Sequence, residues 1–341
     1  MNDKKIRNME EFAAASGISR PTLSKYFDNP ERVRPAIRAR IEQALKDFDY
    51  RPNFFAINQN RRRPKNIGLI VPFIADPFYA EIVRRVEARC AEEGYWAIVL
   101  SSHGEEELEA RAIETLLSLK LAGAIIAPLG HGASSALVND LAQTIPVVMF
   151  DSHNEQALTF VGNDNRQSVS LIVDYLCRTG EPPCFLEMPA VNRSAIERRE
   201  AYVETMVRLG HEPQLITPLE QSWEFESHGF SETRRLLDGP GFPSATILCA
   251  NDRLAFGVMA AAFSQGLRVG RSPECDLRVA GHDDHPLSRY TCPALTTVAQ
   301  DYSGIAEKSV DLLLEMINEQ VPSETRVFVQ LQASLIMRDS A

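Results

Sequence analysis

Two sets of polar residues in this sequence have the types and spacing of recognition chemistry. The first is Arg20, Thr22, Ser24 and Lys25, which fall outward on a short segment whose Leu23 and Phe27, at i and i+4, turn inward. Donors and cations on one face of a short helix suit the width and hydrogen-bonding pattern of a DNA major groove. The second set follows a series of apolar runs: Asp76-Pro77-Phe78-Tyr79, Asp151, Asn163-Asp164-Asn165, Asn251-Asp252 and His282-Asp283-Asp284. Carboxylates and amides exchange hydrogen bonds with hydroxyls, and an aromatic face packs on the apolar side of a sugar ring, so this set suits a polyhydroxyl ligand. Asp76, Asp164 and Asp252 are equally good helix N-caps, and only their shared placement favours binding.

Other chemistries find little support. Gly130-His131-Gly132-Ala133-Ser134-Ser135 follows an apolar run, with Asp151 about twenty residues on, and imitates a dinucleotide fingerprint. Its third glycine is Ser135, and it follows a middle run instead of opening the fold. There is no GxSxG, GxxxxGK[ST] or HExxH pattern. The pair Asp283-Asp284 has no nucleophile or metal set to work with. The six cysteines have no CxxC and no histidine at metal-ligand spacing, which predicts reduced packing thiols. No cofactor, metal or catalytic residue is expected.

The elements that position the first set are two short helices in 11–27. Phe12 and Ala13 form a small apolar face, Gly17 provides the positive φ of a tight turn, and Ser19 caps a second helix that carries Pro21 in its first turn. A plain αα-hairpin is the alternative for this stretch. Pro35 opens a third helix, with Ile37, Ile41, Ala44, Leu45 and Phe48 on one face. A head of 1–50 is marginal alone and favours a dimer or a larger attached domain. Residues 51–66, with prolines near both ends and the run Arg61-Arg62-Arg63, form a join that is either ordered by phosphates or a plain solvated linker.

From 67 to 341 short apolar runs alternate with amphipathic helical patterns, the last run being 327–337. This rhythm predicts βαβ units and parallel sheets buried on both faces. About ten strands are many for one open sheet, so two lobes with a cleft between them are expected. Ligands of such sheets gather at the carboxyl ends of the strands, where the second polar set lies.

Charge divides with the same boundary. The formal charge of -10 splits into +7 for residues 1–66 and -17 for 67–341. The basic part can neutralise phosphates, and the acidic part limits indiscriminate adhesion to DNA. The first residues carry no apolar signal region, and no apolar run is long enough to span a bilayer, so a cytoplasmic protein without a membrane partner is expected.

With head, join and body in place, the chain resembles the LacI/GalR family of bacterial transcription regulators over nearly its whole length. The resemblance rests on Gly17-Ile18-Ser19 with Thr22-Leu23-Ser24-Lys25, Tyr50-Arg51-Pro52-Asn53, and Ile67-Gly68-Leu69-Ile70-Val71-Pro72. It continues through Asp76-Pro77-Phe78-Tyr79, Ala250-Asn251-Asp252, Gly281-His282-Asp283-Asp284, and Leu295-Thr296-Thr297-Val298 with Gln300-Asp301. It implies an N-terminal all-α helix-turn-helix head and an α/β body similar to periplasmic binding proteins, two-lobed with parallel sheets and a hinged cleft. The body at 67–341 would divide into an N-lobe of about 67–162 and 293–325 and a C-lobe of about 163–292 and 326–341.

The resemblance also implies a homodimer on double-stranded operator DNA. Arg20, Pro21 and Lys25 stand at base-reading positions, Ser19, Thr22 and Asn29 at phosphate positions, and Asn53, Ile57, Gln59 and Arg61 along the join. The cleft would bind a sugar, polyol or derivative through Asp76, Phe78, Tyr79, Asp151, Arg198, Asn251, Asp283 and Gln300. Arg198 to Tyr202 follows the family's Arg-x-x-Gly-Tyr pattern with Ala201 for glycine. Gln59 replaces the family's minor-groove leucine and cannot act as an apolar wedge, leaving Ile57 or the arginine run to take that contact. Pro21 cannot donate to a base, so specificity leans on Arg20 and Lys25. Asp76, where asparagine is common, points to a hydroxyl-rich or cationic effector. The chain ends at Ala341 without a heptad tail, which favours a dimer over a tetramer. The expected function is a DNA-binding regulator, a repressor by preference, controlled by that effector and not an enzyme. The alternatives are a non-regulatory sugar binder of the same body fold and a nucleotide-dependent α/β enzyme.

Overall fold

The computed structural model describes residues 6–53, 58, 61, 64–130, 134–153, 159–217, 222–319 and 326–341. The chain divides after Asn66 into two units. Ile57, Gln59, Arg62 and Arg63 of the join, and 131–133 of the glycine loop, lie outside the described residues.

In the first unit the Asn8 side chain accepts from the Glu11 amide at 2.9 Å and starts α1 (Met9–Ser16). Gly17 stops it at φ 63, a conformation that costs glycine nothing. Ser19 then accepts from the Thr22 amide at 3.4 Å and opens α2 (Arg20–Asp28), whose first turn takes Pro21 without losing a hydrogen bond. A single 3₁₀ turn at Pro30–Arg32 leads to α3 (Pro35–Asp47). Phe12, Ile18, Leu23, Val33, Ile41, Ala44 and Tyr50 form one small core, with Phe12 stacked on Tyr50 at 4.5 Å. Ile37 and Phe48, which the helical period puts on the apolar face, remain 37% and 41% exposed because the core does not reach the ends of that face.

The second unit carries a six-stranded sheet in the order β11-β5-β4-β3-β1-β2. Its strands are β1 (Asn66–Val71), β2 (Trp96–Ser101), β3 (Gly123–Ile126), β4 (Val147–Phe150), β5 (Thr159–Asn163) and β11 (Phe328–Leu331). β1 with β3, β3 with β4, β4 with β5 and β5 with β11 pair parallel. Alternate residues serve opposite faces: Leu69 and Ile125 join one core, Ile70 and Ile126 another. Its helices are α4 (Pro77–Glu92), α5 (Glu106–Ser118), α6 (Ser134–Thr144) and α11 (Tyr302–Ile317).

The second lobe has a parallel sheet in the order β7-β6-β8-β9, made of β6 (Cys184–Leu186), β7 (Leu215–Ile216), β8 (Thr246–Cys249) and β9 (Arg278–Ala280). Bridges Ala280 to Thr296 and Asp283 to Ala299 carry it on to β10 (Thr297–Ala299), which pairs antiparallel with β12 (Ser334–Ile336). α7 (Asn165–Thr179), α8 (Arg193–Arg208), α9 (Phe225–Leu237) and α10 (Asp252–Ser264) cover it. All six cysteines are free, and burial pushes the Cys184 thiol up to about 12.

Three expectations need correction. The apolar run 327–337 is two strands in different sheets. It breaks at Ala333 because the Gln167 amide takes both backbone groups there, donating to its carbonyl at 3.1 Å and accepting from its N–H at 2.9 Å. The lobes consequently exchange chain at other points than 293 and 326. β10 is bridged to the C-lobe side and pairs with β12, and β11 belongs to the N-lobe sheet. The chain thus crosses near Asp164, at Gln300–Asp301 and at Gln332–Ala333. Finally, α10 is capped by Asn251, whose side chain accepts from the Leu254 amide at 2.8 Å. Asp252 is instead buried one residue inside the helix, accepting from Ser288 Oγ and Thr297 Oγ1, each at 2.6 Å.

Candidate functional site

On the head, α2 presents Arg20, Pro21, Ser24 and Lys25 to solvent. Arg20 pairs with Glu10 at 2.8 Å, but both side chains are more than half exposed, so the pair is easily exchanged for another anion. Ser19 and Thr22 hold each other through their hydroxyls at 2.8 Å. Asn29 caps the 3₁₀ turn by accepting from the Glu31 amide at 2.9 Å, and Asn53 is exposed. Arg61, expected at the DNA, makes its contacts here with the end of α2. Its Nη2 donates to the Phe27 carbonyl at 2.9 Å, and its Nε lies 3.3 Å from the Asp28 carboxylate. The last carbonyls of α2 and an acidic side chain make a local anionic site that a nearby guanidinium fills.

In the body, the carboxyl ends of both sheets bring the expected cleft residues together. Asp76 caps α4 by accepting from the Phe78 amide at 2.9 Å. Its other oxygen meets Arg253 Nη1 of the C-lobe at 2.9 Å, and Arg253 also grips Glu226 at 2.7 and 2.6 Å and lies over the Phe225 ring. Asp76 is therefore already paired within the protein, although Arg253 is shared with Glu226. Phe78 is buried edge-on against Tyr79 and Tyr302. Tyr79 donates its hydroxyl to Asp151 at 2.7 Å. Asp151 is also approached across the lobes by Asn192 Nδ2 at 3.4 Å, while Ser194 Oγ donates to its carbonyl at 2.8 Å.

Arg198 lies 4% exposed at the centre of the C-lobe wall. It donates to the Ala250 carbonyl at 2.7 Å, to Asn165 Oδ1 at 3.2 Å and to Asp283 Oδ1 at 3.1 Å. Its neighbour Arg199 pairs instead with Glu187 at 2.6 Å and is half exposed. Asn251 sits beside Met188, and Gln300, on the second crossing, donates to Asp283 Oδ1 at 2.7 Å. All eight cleft residues named from the sequence line one region, whose members come from both lobes.

Backbone strain marks the same place. Asp151 adopts φ 59 and Asp283 φ 121, conformations that side-chain-bearing residues seldom take and that cost about 1 to 3 kcal/mol each unless the surroundings enforce them. Electrostatics separates the acids. Burial pushes Asp151 up to about 6, although the Tyr79 hydroxyl and Arg198 pull the other way. Burial would also raise Asp283, but Arg198 and the donors His282 and Gln300 outweigh it and hold that carboxyl below its ordinary range. An ionised acid and a more easily protonated one thus share one cleft.

Sequence reasoning missed Trp223, Arg253 and Asn192, and named His282 only as part of the polar rim. Trp223 reaches from the C-lobe to stack on Phe73 at 6.3 Å and to pack against Tyr79. As one of two tryptophans, in an otherwise polar stretch, it was a signal of a special site. Arg253 gave no signal, because its partner Asp76 is 177 residues away. Among the described residues no group of histidine, cysteine and acidic side chains could hold a metal, and no helix is long and apolar enough to cross a membrane.

Comparison with known proteins places these features. A model of bacterial regulatory proteins of the lacI family matches residues 8–53, and a periplasmic binding protein-like domain model matches 183–341. The chain is 31% identical to the HTH-type transcriptional repressor CytR of Escherichia coli (strain K12), covering 97% of this chain and 95% of that one. It is 29% identical to the Ribose operon repressor of the same organism, covering 98% of this chain and all of that one. Among solved structures, the Lac repressor dimer bound to operator and the anti-inducer ONPF matches with a TM-score of 0.85 at 25% identity, over 98% of this chain and 99% of that chain. The Lac repressor bound to ONPG matches at 0.84 with 25% identity, over 99% and 100%. A helix-turn-helix head, a two-lobed parallel-sheet body and full-length kinship to repressors together establish that this chain belongs to the lacI family of bacterial regulatory proteins.

Proposed function

We propose that this protein is a transcription repressor that binds operator DNA as a homodimer and releases or tightens that grip when a sugar or sugar-like effector occupies the cleft. The observation that carries the reading is the convergence of Asp76, Asp151, Arg198, Asn251, Asp283 and Gln300 from both lobes beside Phe78, Tyr79 and Trp223. Acceptors, donors and aromatic faces in one enclosure are the chemistry of a polyhydroxyl ligand. The names of its relatives, a ribose operon repressor and Lac repressors bound to operator, support the same reading.

In this mechanism the ligand binds the closed arrangement of the lobes better than the open one, and only that difference in affinity can shift the equilibrium. A coupling of about 1 to 3 kcal/mol between cleft and DNA changes operator occupancy by about five- to 150-fold. Arg20 and Lys25 read base edges, while Ser19, Thr22 and Asn29 fix the helix on the phosphates. Asn53, Ile57 and Gln59 follow the minor groove. The protein works in the cytoplasm, where both operator and metabolite are found.

A thermal-shift screen of sugars, polyols and their phosphates tests the effector half. A ligand at 100 times its Kd adds about 2.7 kcal/mol of stability. Retention of genomic fragments by full-length protein, with and without the hits, tests the other half. A protein that held no fragment in a salt-sensitive way and answered to no ligand would defeat the proposal.

A further inference from the structure

Behind the cleft wall lies a chain of buried polar groups that the function above does not use. His282 is 1% exposed, with Nδ1 3.0 Å from Asp283 Oδ1 and Nε2 2.9 Å from Ser168 Oγ. Ser168 Oγ accepts in turn from Asn163 Nδ2 at 3.0 Å. We propose that His282 is a positioning residue for effector binding, a neutral imidazole whose Nδ1–H fixes Asp283 so that Oδ2 is left as the ligand's acceptor. This rests on the effector reading given above.

The hydrogen positions follow from the partners. Asp283 Oδ1 accepts from Arg198 Nη2 at 3.1 Å and from Gln300 Nε2 at 2.7 Å, so a third group beside it must donate as well. Nδ1 therefore carries the hydrogen, and the bare Nε2 must accept from the Ser168 hydroxyl. That hydroxyl lies 2.9 Å from Nε2 and 3.2 Å from its other acceptor, the Asn165 carbonyl, and the nearer one takes it. A second proton on the ring would make Nε2 a donor and turn the Ser168 hydrogen to the Asn165 carbonyl, its longer contact. It would also add charge beside Arg198, which with burial holds the ring's pKa down at about 4.

Three donors converge on Oδ1, and no described residue donates to Oδ2 of Asp283. The Gln300 amide must turn its nitrogen to the carboxylate, which leaves its Oε1 buried without a partner. Two neighbouring acceptors lacking donors, on side chains locked from behind, ask for a ligand that brings two donors, such as a pair of adjacent hydroxyls.

Full-length protein labelled with ¹⁵N-histidine gives the direct measurement. Its seven histidines are few enough for His282 to be assigned by difference from His282→Asn. An Nδ1–H, bare-Nε2 tautomer at pH 7 is expected, and an imidazolium or an Nε2–H tautomer would overturn the proposal. In parallel, D-ribose, D-xylose, D-glucose and ribitol are titrated by calorimetry into wild type and three variants. His282→Asn keeps a donor near the Nδ1 position and is expected to bind within about threefold of wild type. His282→Phe keeps the ring alone and His282→Gln keeps a donor only near Nε2, and both are expected to weaken binding about tenfold. Wild-type affinity in a folded His282→Phe would also overturn the proposal. If wild type bound none of the four probes, the effector reading would suffer, while the tautomer would still decide the role of His282.

Discussion

Burial and the Arg198 cation hold His282 at a pKa of about 4, against an ordinary 6.5, so the native state binds fewer protons than the unfolded chain between those values. The stability contributed by the neutral ring is complete above 6.5 and drains as pH falls through 6.5 toward 4. Asp151 works in the opposite sense. Burial raises it from 3.8 to about 6, so its contribution is complete below 3.8 and is lost as pH rises through 6. The slopes oppose each other across the mildly acidic range, and removing one group exposes the other. His282→Asn is expected to lessen the loss of stability between pH 7 and 4.5 by about 2 to 3 kcal/mol, one pKa unit being worth about 1.4. Urea midpoints of both proteins at the two pH values measure it. An unchanged difference would mean that the buried ring titrates normally.

At the scale of elements, α9 crosses α10 closely through two glycines, Gly229 and Gly257. A Cβ on Gly257 would stand 2.2 Å from the Glu226 carbonyl oxygen and 2.5 Å from the Phe230 nitrogen, both backbone atoms that cannot swing aside. Gly257→Ala is therefore expected to destabilise the protein by about 1 to 3 kcal/mol, although alanine favours helix, and chemical denaturation reads the sign. Gly257 shows how much of the fold was legible. The alternation of apolar runs and helical faces gave most of the strands in order, because each element's period is local, but not β10, which is too short to show one. Helix starts such as Ser19 and Asp76 were legible from their capping chemistry. The partition of lobes was misread around 297–299 and 328–331, since the break at Ala333 is made by Gln167, a residue 166 positions away. The choice of Asn251 over Asp252 as cap was equally hidden, for it depends on Ser288 and Thr297 drawing the aspartate inward. The candidate site was legible in its carboxylates and aromatics, and illegible in Arg253 and in the part that His282 plays, both set by residues brought to them only by folding.

At the scale of the whole molecule, two ion pairs bear on how the regulator switches. Arg253 joins the lobes through Asp76, and both side chains are nearly buried, at 12% and 11% exposed. Losing one partner strands the other's charge, so Arg253→Met is expected to disfavour closure, while adding Asp76→Asn should restore much of the loss. Small-angle scattering of the variants reads the lobe opening, and additive effects in the double variant would argue against a direct pair. The second pair concerns the head and join, together +7, whose phosphate contacts should make DNA retention fall steeply with salt. Lys25, exposed on α2, is expected to contact a base, so Lys25→Ala should cost about 1 to 3 kcal/mol on the preferred fragment and less on others. Arg61 is engaged with the end of α2 and Asp28. A phosphate ligand lost by Arg61→Ala would lower the salt slope by about 1, whereas loss of a brace on α2 would weaken binding at every salt concentration with the slope unchanged. The second outcome is expected. Retention measured from 50 to 200 mM salt separates the two, and a flattened slope would return Arg61 to the phosphates and make its grip on α2 a feature of the DNA-free chain.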